Sequence, residues 1–228
     1  MSDSNPAESA YRFPEGIPID PVPQGTVLLV AGPSLSPAED VARTLVADGS
    51  VREEGVLFVS TGETAKKLLA ACRRTVPSMD TDRVGVVDCT GQDIGQSDSE
   101  IQVKYVSTQS DLTGIGMKYS ALYESLYADA EAGRVRTGLI SLSSLLMYND
   151  LRQVFRFTQT IASRIDSAEG VGVFSMDPTT HDEQTVNMFH QVVDGLVEVR
   201  EADGDADGEL RVRGLRDQPD DWQSFDLP

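Results

Sequence analysis

The sequence predicts an α/β domain: a mostly parallel central sheet, helices on both of its faces and a β-hairpin at its C-terminal end. Three observations carry that expectation. Short apolar runs recur at 26–31 (TVLLVA), 56–60 (VLFVS), 84–88 (VGVVD), 137–142 (TGLISL) and 171–175 (VGVFS), and runs without polar alternation are how strands buried on both faces read. Helix-patterned segments separate them, and strand-helix alternation builds a parallel sheet. Near the end, DGLVEVR at 194–200 and ELRVR at 209–213 alternate across an acidic, Gly-rich tip, the pattern of a hairpin.

The elements follow in order. Residues 1–23 are polar and hold Pro6, Pro14, Pro18, Pro21 and Pro23, which forbid a regular helix and predict an extended arm. The domain spans 24–216. After the first strand come a helix at 37–48, the second strand, a helix at 63–74, the third strand and a long connection reaching 116. Tyr119, Leu122, Tyr123, Leu126, Tyr127 and Ala130 form one helical stripe over 117–131, read as core packing. Asn149 and Asp150 are placed to cap a helix whose Leu151, Val154, Phe155, Thr158, Ile161, Ala162 and Ile165 share a face. A short helix at 182–191 precedes the hairpin. Residues 217–228 form an acidic, loop-like tail with Trp222 and Phe225 as docking anchors.

Composition narrows the function. The 228 residues hold 37 Asp and Glu against 19 Lys and Arg, a formal net charge of -18. No stretch has more than two adjacent basic residues, so the stripe that nucleic acid requires is missing. The same charge is repelled by anionic lipid, and no apolar run reaches the roughly 18 residues of a spanning helix. The N-terminus lacks a basic start and apolar block, so a cytoplasmic protein is expected. Two cysteines, Cys72 and Cys89, fit a reducing compartment. Only four Lys occur, and Asp outnumbers Glu by 23 to 14. Such a surface suits a salt-adapted protein, for which charges are screened over about 3 Å at molar salt.

The segment after the first strand is the one that phosphate would use. A strand, a loop opening at Gly32 and a helix are the setting of the P-loop, G-x-x-x-x-G-K-[ST], in which backbone N–H groups, a Lys and a hydroxyl-held Mg²⁺ take the phosphates. Here the loop runs Gly32, Pro33, Ser34, Leu35, Ser36, Pro37, Ala38, Glu39. Pro37 stands at the second glycine, Ala38 at the Lys and Glu39 at the Ser/Thr. Pro37 removes a donor and fixes φ, Ala38 supplies no cation, and Glu39 and Asp40 put carboxylates at the helix start. The residues instead match a capping box, with Ser36 and Glu39 expected to satisfy the N–H groups reciprocally.

Together these positions resemble the RecA superfamily, in particular its KaiC-like archaeal branch, over about residues 24–216. The resemblance implies a RecA-like P-loop fold. LLVAGP at 28–33 follows the family's first motif. VSTGET at 59–64 resembles the strand that ends in two catalytic glutamates, keeping Glu63 and placing Gly62 at the other. SDLTGIG at 110–116 is similar to a stretch preceding a helix. TGLISLSSL at 137–145 resembles the Walker B strand, with Ile140, or Ser141 under a one-residue shift, at the metal-holding Asp. LRVRGLR at 210–216 resembles the hairpin whose Lys and Arg reach a neighbour's phosphate; Gly214 stands at the Lys and Arg216 remains.

Phosphoryl transfer is positioning plus charge stabilisation by these groups. The expectation is therefore a non-catalytic pseudo-ATPase: a regulatory or signalling interaction module that self-associates or joins an active paralogue. Its phosphate loop, Glu63 and Arg216 would be vestigial, and no cofactor, no metal, no nucleic acid and no membrane would be bound. One alternative is a divergent ATP- and Mg-binding protein or weak ATPase that draws a cation from Arg43 or a neighbour's Arg216. The other is an unrelated α/β enzyme with its site at the serine-bearing strand end, Ser141, Ser143 and Ser144, where no G-x-S-x-G elbow occurs. His181 and His190 read as surface or packing residues, Cys72 and Cys89 as core thiols. DGDADG at 203–208 opens like a calcium loop but reads as a hairpin tip, because its twelfth position is Gly214.

Overall fold

Residues 10–91, 101–130 and 133–228 are described by a computed structural model. The expected apolar runs form strands β1 (Val27–Ala31), β2 (Gly55–Ser60), β3 (Val84–Asp88), β5 (Val135–Ile140) and β6 (Val171–Met176), each buried along its whole length. With β4 (Gln102–Tyr105), β7 (Gly195–Arg200), β8 (Gly208–Arg213) and β9 (Gln223–Phe225) they make one sheet of order β4-β3-β2-β5-β6-β1-β7-β8-β9. Every pair from β4 to β7 is parallel, and β8 and β9 add antiparallel edges.

Each sheet face has its own core. One is covered by α1 (Ala38–Val51), α2 (Ala65–Thr75), the N-terminal segment and Phe225. The other is covered by α3 (Leu112–Asp129), α4 (Leu142–Tyr148), α5 (Leu151–Ser167) and α6 (Glu183–His190). Leu45, Leu68, Ile115, Leu122 and Ile165 are fully buried in these layers, each stabilising the fold by about 2 kcal/mol through burial. Val154, Thr158, Ile161, Ala162 and Ile165 form the buried stripe of α5 as the spacing predicts, but Leu151 and Phe155 are only partly buried and Phe157 is buried beside the stripe instead. Burial pushes the Cys72 thiol up to about 12 and the Cys89 thiol up as well, so both stay protonated.

Several details differ from expectation. The connection after β3 contains β4, an edge strand whose sequence QVKY buries little and carries no apolar run. Helix α3 starts at Leu112 rather than 117, because the Asp111 carboxylate accepts from the Gly114 N–H at 2.8 Å and caps the first turn. SLSSL does not extend β5. The strand stops at Ile140, Ser141 takes a left-handed conformation (φ 73°), and α4 begins. The C-terminal residues are not all loop: β9 pairs with β8, Phe225 is buried, and Trp222 lies 4.0 Å from the Arg200 guanidinium and 4.6 Å from that of Arg211.

The Pro-rich segment folds against the domain. Tyr11 and Val22 bridge antiparallel through two backbone bonds of 2.8 and 2.9 Å. Tyr11, Phe13, Ile17, Ile19 and Val22 are buried in the first core. Arginines at the foot of the sheet hold the segment by its carbonyls: Arg134 donates to Ala10 O, Arg136 to Arg12 O and Arg52 to Phe13 O. Arg134 also stacks 4.0 Å over the Tyr11 ring, and burial raises the Tyr11 hydroxyl to about 12. Residues 1–9 of the expected arm lie outside the described residues.

Candidate functional site

The candidate site is a cleft of about 320 Å³ at the C-terminal ends of β1, β5 and β6, the position where open parallel sheets gather ligand groups. Three connections wall it. The β1–α1 loop contributes Gly32, Pro33, Ser34, Ser36, Ala38 and Glu39; the β5–α4 junction contributes Ser141, Ser143, Ser144 and Met147; the end of β6 contributes Ser175, Met176, Asp177, Thr180 and His181.

Several of the loop's donors are spent internally. Gly32 N–H donates to Met176 O (3.3 Å) and Ser36 N–H to Pro33 O (2.9 Å), while Pro33 and Pro37 have none to offer. Ser34 N–H donates to the Asp177 carboxylate at 2.9 Å, and the Ser34 hydroxyl donates to the same oxygen. Asp177 also accepts from Thr179 N–H (2.8 Å) and Thr179 Oγ1 (2.6 Å). Burial pushes its carboxyl up, but the bonds from Ser34 and Thr179 outweigh that and hold it below the usual carboxylate range. A carboxylate of the chain thus sits where the loop would meet an anion.

The expected capping box does not close. Ser36 Oγ donates to Pro33 O (2.7 Å) and accepts a long bond from Ala38 N–H (3.4 Å), and α1 has no side-chain cap. Glu39 turns to Arg43 instead. Arg43, only 10% exposed in its side chain, is shared by Glu39 (2.5 Å), Asp40 (2.9 Å) and Glu63 (2.8 Å). Burial opposes its charge, but Glu39, Glu63 and Asp40 more than offset that and raise its pKa.

The remaining sequence-predicted residues fall in different places. Glu63 is held by Arg43 and does not line the cleft. A Cβ at Gly62 would stand 2.9 Å from Ser144 Oγ, so a side chain there would require the Ser144 hydroxyl to shift. Ile140 is buried in the core. Ser141 donates its N–H to Ser175 Oγ (2.8 Å), and its carbonyl accepts from Thr61 Oγ1 (2.6 Å), which together hold the strained turn. Leu35 is 91% exposed at the loop tip. Gly214 has φ 88°, and a Cβ would meet Asp194 O at 2.8 Å; the turn excludes a lysine there. Arg216 lies on the exposed turn after β8, away from the cleft. The acidic stretch at 203–208 forms the hairpin tip, and among the described residues no group of three or more His, Cys, Asp or Glu is placed to hold a metal ion.

His181 is not an ordinary packing residue. Its Nε2 lies 2.9 Å from Ser143 Oγ, and Ser143 Oγ also accepts from Asp177 N–H at 3.1 Å. The sequence signal was slight: a histidine five residues after the buried Ser-Met end of β6. His190 lies in the last turn of α6.

A triphosphate with Mg²⁺ needs open N–H groups, a cation and a metal carboxylate. Among the described residues no Lys or Arg lines the cleft, the loop's N–H groups at 32, 34 and 36 are engaged, and neither Ile140 nor Ser141 at the end of β5 offers a carboxylate. The residues present do not fit that ligand.

The fold is RecA-like and is shared with solved KaiC-like structures. The KaiC-like protein of the hyperthermophilic archaeon Pyrococcus horikoshii is similar with a TM-score of 0.64 at 14% identity, covering 94% of this chain and 93% of that one. An uncharacterized protein of the same organism, crystallised in complex with an unknown peptide, has a TM-score of 0.62 at 14% identity over 84% of each chain. No curated protein matches the sequence. The model of a family of unknown function (DUF7504) matches residues 25–199, and the chain belongs to that family. Among the described residues no helix is long and apolar enough to cross a membrane.

Proposed function

We propose that this protein is a pseudo-ATPase of the RecA/KaiC-like type, kept as a regulatory interaction module in a salt-adapted archaeal cytoplasm. The observation that carries the reading is the Asp177 carboxylate bonded to Ser34 N–H and hydroxyl in the phosphate loop. An internal anion there repels a phosphate and competes for its donors. The capture of Arg43 by three carboxylates supports the same reading, because it takes up the charge of a cation that a nucleotide could otherwise use. The partner is a protein: another copy of the chain or a catalytically intact paralogue. The similar Pyrococcus protein that holds a peptide accords with a fold used to bind protein segments.

Calorimetry with ATP and ADP at molar KCl with Mg²⁺ tests the nucleotide half. The parent should be silent, and the variant Pro37→Gly, Ala38→Lys, Glu39→Thr, Asp177→Ala should gain affinity. Micromolar binding by the parent overturns the reading. Light scattering at low and molar salt tests the assembly half: a monomer under every condition, also when mixed with a paralogue, removes its support.

A further inference from the structure

The cleft carries a second set of groups with a different chemistry. Ser143 Oγ accepts from Asp177 N–H at 3.1 Å, and its own hydrogen has two acceptors in reach: Asp177 O at a long 3.4 Å and His181 Nε2 at 2.9 Å in the tautomer protonated on Nδ1. A serine that donates to such an imidazole has the polarity of a nucleophile and its general base. Asp182 follows His181 directly. Its carboxyl is held low mainly by bonds from Thr185, with a further contribution from the charge of His181.

The surroundings suit an acyl group. The hydroxyls of Ser141 and Ser144 lie 2.8 Å apart and share one bond, which leaves one O–H of the pair to turn toward an oxyanion in the cleft. Ser141 keeps that pair in place through its left-handed backbone, a strain of the kind that gathers at working sites. Met147, Met176 and Val30 give an apolar wall. Glu39 and Asp177, without a Lys or Arg in the lining, disfavour anionic substrates.

We propose that Ser143 and His181 form a nucleophile and general base that hydrolyse small neutral or cationic carboxylic esters in this cleft. Ser143 Oγ bonds to the ester carbonyl carbon while its proton passes to Nε2 of His181. The tetrahedral intermediate collapses, the C–O bond to the alcohol breaks, and the leaving oxygen takes the proton from Nε2. A water then gives a proton to Nε2 and attacks the acyl-serine; collapse releases the carboxylic acid and returns the proton to Ser143 Oγ. Every step uses only ester, water and these side chains.

The test is covalent labelling of the purified full chain in molar KCl with a fluorophosphonate probe, followed by peptide mapping, beside turnover of p-nitrophenyl acetate. One label per chain on Ser143, with a rate that falls at acid pH, is expected. Ser143→Ala should abolish label and turnover, and His181→Asn should slow labelling by roughly 100-fold, the usual contribution of a general base. No label, or a label on any other residue, overturns the proposal even if a variant fails to fold, because the mapping is made on the parent. Nucleotide calorimetry reports separately, so this proposal and the pseudo-ATPase reading can fail independently.

Discussion

Two arginine-centred clusters sit at opposite ends of the same sheet. At the foot, Arg136 is fully buried. It bonds to the Glu54 carboxylate and donates to Leu45 O (2.6 Å) and Arg12 O (2.7 Å), with Arg134 meeting the other Glu54 oxygen at 3.1 Å. At the top, Arg43 gathers Glu39, Asp40 and Glu63, all of them partly exposed. The foot cluster ties three parts of the chain, α1, β5 and the N-terminal segment, through geometry that water cannot replace. The top cluster mainly neutralises carboxylates near solvent, where screening weakens each pair. The difference teaches where the molecule is stiff: the foot supports the fold, and the top, with its cleft, is held by weaker, solvent-screened pairs.

The comparison breaks most sharply at Arg136. Arg136→Met leaves Glu54 without its main partner and should cost about 3–5 kcal/mol in denaturant unfolding, with most of that recovered in the double variant Arg136→Met, Glu54→Leu. If the double variant is no better than the single, the packing of Arg136 rather than its charge dominates. Tyr11→Ala should cost about 3 kcal/mol by the cavity it leaves and release the segment at 10–22, which limited proteolysis would report as a new cut before β1. Arg43→Met should cost only about 1 kcal/mol at low salt, because its carboxylates can turn to water, and less at molar KCl. An undiminished cost at molar salt would place the top cluster in the same class as the foot.

The smallest effect belongs to Asp177. Its carboxyl lies below its unfolded value, so its contribution is complete above the unfolded pKa and is lost as pH falls through the folded one. The parent should therefore exceed Asp177→Asn by less than about 1 kcal/mol near neutrality, a figure limited by its exposure. That advantage should shrink in acid, as read from melting curves of both proteins across pH.

The strands of the sheet interior were legible because Val27–Ala31 or Val171–Met176 are apolar without interruption, and only burial on both faces demands that. The stripe of α5 was legible for the same reason at helical spacing. β4 was not, since an edge strand such as QVKY buries little and needs no apolar run. Helix α4 was not, because Ser-Leu-Ser-Ser continues a strand pattern until the left-handed Ser141 breaks it. That Pro37, Ala38 and Glu39 offer neither glycine, lysine nor hydroxyl to a phosphate could be read by position in the loop. That the Asp177 carboxylate meets the loop could not, because Ser34 and Asp177 are 143 residues apart in sequence.

The sequence by itself determined the alternation of strand and helix, the hairpin and the identity of the residues in the phosphate loop, because each depends on local patterning or on a side chain's own chemistry. Tertiary structure alone decided that Asp177 enters that loop, that Glu63 joins Arg43, that Ser143 meets His181 and that the proline-rich segment closes the foot of the sheet. Those contacts join positions far apart along the chain, and only the crossing of parallel strands brings their ends to one edge.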